Sequence, residues 1–168
     1  PVAQPSPQLA MLEELRKAQC SGVPSDEHVE EAFEKCYPAL TAGKFKGLKS
    51  LDIGRQGIED ADGATIIWAL AMYSDSELVD LSLSRNNLGA KTALALSHFL
   101  RYNRTVTTID LHDNSLDDNA VGALSRAFAH NPVVETVRLS DNKLTPAGAA
   151  TVVNGLIRNV SLRSITME

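Results

Sequence analysis

The sequence predicts an α/β fold, a right-handed solenoid with parallel strands on its concave face, helices on its convex face and a helical cap at its N-terminus. Three observations predict it. An apolar core of the form Leu-x-x-Leu-x-Leu-x-x-Asn-x-Leu returns from Leu48, Leu78, Val106, Val134 and Leu162, at steps of 30, 28, 28 and 28 residues. Inside each copy the apolar residues alternate with polar ones, as in a strand with one buried face. Behind each copy, apolar and small residues recur at spacings of three and four, as along one side of a helix.

The elements follow in chain order. Residues 1–7 contain three prolines and are expected to be a disordered tail. Residues 8–46 are read as the cap. A first helix runs from Gln8 to Gln19, with Leu9, Leu12 and Leu15 on one side, and ends at Gly22-Val23-Pro24. Ser25 then caps a second helix, with Asp26 and Glu27 at its positive end and Val29, Ala32, Phe33 and Cys36 along one face. A stack of repeats needs its terminal apolar side covered. In the first repeat, Ile67 and Trp68 stand where later copies carry Ser97-His98 and Ser125-Arg126. Trp68 is therefore expected to pack against the cap; the alternative is an exposed anchor for a partner.

The repeats span 48–168, as 48–77, 78–105, 106–133, 134–161 and a partial copy at 162–168. Their strand columns are Leu51, Leu81, Ile109, Val137 and Ile165, then Ile53, Leu83, Leu111, Leu139 and Met167. Asn86, Asn114 and Asn142 follow the strands, with Gln56 in the first copy. A turn into the interior leaves backbone groups without water, and an amide both donates and accepts. These Asn are expected to form a structural ladder, less regular at Gln56. The helices carry Ala93, Leu96, Phe99 and Leu100, then Val121, Leu124, Ala127 and Phe128, then Ala149, Val152, Gly155 and Leu156. Thr145-Pro146 reads as a helix start. Asn103, Asn131 and Asn159 recur at the helix ends, where left-handed backbone is the expected role. The fifth strand has no helix after it within the sequence. The flank at Val152, Val153 and Leu156 is accordingly expected to be covered by further repeats, a partner or a second copy, with the chain a piece of a longer protein.

This core and period resemble the leucine-rich repeat, and the long helix-bearing copies resemble its ribonuclease-inhibitor-like class. The resemblance covers residues 48–168. It implies the fold and, by the habit of such solenoids, a protein-binding surface. Within the class, the Ran-type GTPase activators act through charged and amide residues near the repeat loops, where this chain has Arg55 and Arg85. The tropomodulins, more loosely related, are similar in size, with a helical cap followed by about five repeats, and they bind actin ends. The tail such a protein carries after its last repeat has no counterpart in this sequence.

Composition narrows the function. The chain is 43% hydrophobic and only 5% aromatic, as suits a Leu- and Ala-packed solenoid, and its net charge of −5 disfavours nucleic acid and anionic membranes. No apolar run approaches the roughly 20 residues of a membrane span. Cys20 and Cys36 both precede the repeats, without the Cys clusters of secreted repeat proteins, and are read as reduced, in a cytoplasmic protein. The sequons at Asn103 and Asn159 fall in the helix-end column and are attributed to repeat geometry rather than to glycosylation. No phosphate loop, Cys-x-x-Cys pair or nucleophile elbow occurs, so no enzyme and no cofactor is expected. Asp110 and His112 alternate onto one strand face, but a metal would need a third ligand, and solvated residues are the preferred reading.

Recognition is therefore expected on the concave face. Its candidate partner-binding residues are Arg55, Asp80, Arg85, Asp110, His112, Asp113, Arg138 and Asp141. The column before the Asn ladder is basic in two repeats, Arg55 and Arg85, then acidic in two, Asp113 and Asp141. Arg85 and Asp113, on adjacent strands about 4.8 Å apart, are expected to be within pairing distance. The sequence thus predicts a non-catalytic module that binds a protein partner.

Overall fold

The computed structural model describes residues 47–73, 77–157 and 159–167. The predicted cap, both cysteines and the proline-rich tail lie outside these residues. Strands and helices alternate: β1 (Ser50–Asp52), α1 (Asp60–Tyr73), β2 (Asp80–Ser82), α2 (Ala90–Tyr102), β3 (Thr108–Asp110), α3 (Asp118–His130), β4 (Thr136–Arg138), α4 (Pro146–Leu156) and β5 (Ser164–Thr166). The five strands form one parallel sheet in sequence order. Register is strict: Leu51, Leu81, Ile109, Val137 and Ile165 stand side by side, as do Asp52, Ser82, Asp110, Arg138 and Thr166. The architecture is an α/β leucine-rich-repeat solenoid.

Each strand is only three residues long, yet its ladder continues past it. Arg55, Arg85 and Asp113 each donate a backbone N–H to the next repeat, to Ser84, His112 and Ser140 in turn. Because helices need about 8–10 Å of separation and strands under 5 Å, the sheet side is the shorter, concave one.

The core lies between sheet and helices. Ile53, Leu81, Leu83, Leu96, Leu100, Leu124 and Phe128 are fully buried. Each such side chain contributes about 1.5–3 kcal/mol relative to exposure. Trp68 is 3% exposed and belongs to this core, so it is not a surface anchor. Val152 is 1% exposed, which corrects its assignment to an uncovered flank. Its neighbours Val153 and Ile157 are the exposed residues there.

Three sets of polar groups link neighbouring repeats. The first is the Asn column after the strands. Asn114 donates to the carbonyls of Leu83, Leu111 and His112, and its oxygen accepts from Leu88 N–H. Asn86 and Asn142 make the same pattern one repeat before and after. Among the described residues the Gln56 side chain reaches only Gly54, in its own repeat.

The second is the helix-end column, and here the expectation is corrected. Asn103 and Asn131 have φ of −67° and −84°, so neither is left-handed. Their side chains do the work instead. Asn131 accepts from Val133 and Val134 N–H while donating to the Leu100 and Asn103 carbonyls one repeat back. Asn159 repeats this onto Phe128 and Asn131. With the amide nitrogen of Asn159 so engaged, and that of Asn103 bonded to Thr105, both sequons serve the repeat.

The third joins helix starts. Helix α2 begins at Gly89, which has no side chain to cap it, and Asp60 of the preceding helix caps it instead, accepting from Gly89, Lys91 and Thr92 N–H. The position equivalent to Asp60 in the next repeat is Ala90, and there α3 supplies its own cap, Asp117 to Ala120 N–H. For α4 both devices occur, Thr145 in its own repeat and Asp118 from the one before.

Candidate functional site

The concave face is built from the outward positions of β2, β3 and β4 and the turns after them. Strand alternation sends Leu81, Ile109 and Val137 inward and the residues on either side outward. Within β3, Asp110 accepts from the His112 backbone N–H, which fixes the carboxylate at the strand end. Arg138, beside it on β4, sets its guanidinium 3.3 Å from the other Asp110 oxygen. One turn on, His112 Nδ1 lies 3.3 Å from the Asp141 carboxylate. These four residues are brought together as two cross-strand pairs. Arg138 is more than half exposed, so its pair with Asp110 contributes only about 0–1 kcal/mol to stability and stays available to an incoming group.

The remaining candidates sit differently. Asp80 is exposed on β2, in register with Ser50 and Thr108. Arg55 and Arg85 are exposed in the turns of the first two repeats, and Asp113 in that of the third. The expected pairing of Arg85 with Asp113 does not occur among the described residues. The reason lies in the backbone: Arg55, Arg85, Asp113 and Asp141 all have positive φ, between 53° and 59°. Left-handed backbone takes these residues out of strand geometry, so the spacing of paired strands does not carry over to their side chains, and Asp141 meets His112 of the neighbouring repeat.

This column is the feature that residue types alone concealed. The Asn ladder requires the chain to reverse immediately before it, and the reversal is made by a left-handed residue. Asp113 and Asp141 suit that conformation; Arg55 and Arg85 do not. Among the described residues no group of three His, Cys, Asp or Glu side chains is positioned to hold a metal ion. No helix among them is long and apolar enough to cross a membrane.

Comparison with known proteins agrees on the repeat. A family model described as a leucine-rich repeat matches residues 102–125 and 130–153. No curated protein sequence matches the chain. Among solved structures, the chain is similar to leiomodin-1 actin-binding site 2, with a TM-score of 0.65 and 16% identity, over 87% of this chain and 81% of that one. At that identity the likeness is one of fold.

Proposed function

We propose that this chain is a non-catalytic protein-binding module of the ribonuclease-inhibitor-like class, acting inside the cell, with its partner docked on the concave strand face. The observation that carries this reading is the pair of cross-strand contacts, Asp110 with Arg138 and His112 with Asp141, on an open polar sheet. Charges set at fixed positions by a rigid sheet give register and specificity to an association rather than bulk affinity. Asp80, Arg55, Arg85 and Asp113, in the first three repeats of the same face, steer the approach. The face carries no large aromatic anchor, so the partner is expected to be polar and its binding salt-sensitive, because exposed charges are screened within about 8 Å at physiological ionic strength.

Site-specific photo-crosslinking tests this. A crosslinking residue at Thr108, on the strand face beside Asp110, should trap a protein in cell extract. The same residue at Val153, on the α4 flank, should trap none. Adducts at Val153 alone would overturn the concave assignment.

A second reading is that the partner is actin. The structural neighbour is named for actin binding, and the likeness covers most of both chains. Co-sedimentation of the full chain with actin filaments distinguishes the two readings. Pelleting that is lost with Arg138→Glu would join them, and no pelleting at all would remove actin.

A further inference from the structure

A groove of about 430 Å³ lies between α2 and α3, on the side of the molecule opposite the strand face. Leu94 and Ala127 contribute apolar surface to it; His98, Arg101, Arg126 and His130 add ring and guanidinium nitrogens. The spacing explains the convergence. Leu94, His98 and Arg101 form one stripe along α2, Arg126 and His130 one along α3, and the two stripes face each other. None of the eight lining residues is acidic, in a chain of net charge −5. Among the described residues the Arg126 side chain has no carboxylate partner, and Leu94 is 41% exposed.

We propose that this groove is a second docking surface, and that its occupant is an acidic amphipathic helix of a partner protein. A leucine-like side chain would rest on Leu94 and Ala127, with a carboxylate against Arg126. Helix-in-groove recognition of this kind reads apolar anchors at three- and four-residue spacing. Concavity and the apolar floor favour a peptide over an anionic bilayer, which would touch only the rim.

The test is fluorescence anisotropy of a short labelled peptide helix, leucine on one face and glutamate on its flanks, titrated with the full chain. Saturable binding is expected. Arg126→Glu should weaken it at least about tenfold, and Leu94→Glu likewise, with both variants melting alongside the parent protein. Lys143→Glu, a charge reversal in the turn before α4, should leave it unchanged. A peptide with serine in place of leucine should bind at least about tenfold more weakly. The proposal is overturned by absence of saturable binding, by equal loss with Lys143→Glu, by indifference to the leucines, or by binding to phosphatidylserine vesicles in preference to the peptide.

Discussion

At the scale of single residues, two kinds of position carry the fold, and only one is evident from side-chain chemistry. Asn114 and Asn131 are both buried, and each amide satisfies backbone groups of two repeats. Replacing either by alanine leaves several buried groups unpaired, and each change should cost about 1–3 kcal/mol, read as a shift in urea midpoint. A helix-end Asn that acted only through its backbone would be replaceable, so a near-zero effect at Asn131 would contradict its ladder role. The strand-following column was legible because an amide in a repeated turn has an obvious task. The helix-end column was legible as a position but not as a mechanism, since Asn also favours left-handed backbone. That conformation falls instead at Arg55, Arg85, Asp113 and Asp141. Exposed as it is, Asp113→Val should therefore cost about 1–2 kcal/mol from backbone strain, whereas Asp113→Asn should be nearly neutral. Equal melting of the two variants would rule out the strain.

Among elements, two helices draw capping groups from the helix before them. Asp60 serves α2, which starts at Gly89, and Asp118 serves α4. Part burial works against the Asp60 charge, but N–H bonds from Thr92, Lys91 and Gly89 outweigh it and hold its pKa below the ordinary 3.8. The Thr145 hydroxyl and backbone N–H lower that of Asp118 in the same way. A carboxylate whose pKa falls on folding binds protons less readily in the folded state. Its contribution is present in full well above pH 3.8 and is lost as pH falls through the lowered folded value. Asp60→Ala should cost about 1 kcal/mol at neutral pH and flatten the acid limb of the stability curve, measured by urea titration at stepped pH. A limb of unchanged steepness would show that Asp60 is not a cap in solution. Packing adds a second dependence, because a Cβ on Gly63 would lie 2.5 Å from both Leu88 and Thr92. Helix positions and buried faces were readable from periodicity, since spacings of three and four suffice to define a face. The cross-repeat caps were not, because Asp60 and Gly89 are related only by the stacking of two copies.

For the whole molecule, strict register converts a linear pattern into a rigid surface, and this is why the strands and helices of the repeats were legible. Columns separated by 28 or 30 residues in sequence become neighbours across the sheet. The grouping of Asp110, His112, Arg138 and Asp141 followed from the same arithmetic. Which partners pair did not, because left-handed turns take one column out of strand geometry, so that Asp141 meets His112 rather than a member of its own column. The helix-side groove went unread, since its stripes lie on the polar side of two helices, where solvation alone is the ordinary reading. The central claim is that the strand face binds through fixed charges. Its most direct test exchanges a pair rather than breaking it: Asp110→Arg together with Arg138→Asp, with affinity for the protein trapped at Thr108 measured at low and physiological ionic strength. The exchange keeps the internal contact while reversing the field an incoming group meets. Binding should weaken at least about tenfold and lose its salt dependence, with the melting temperature held. Affinity equal to that of the parent chain at both ionic strengths would contradict the account.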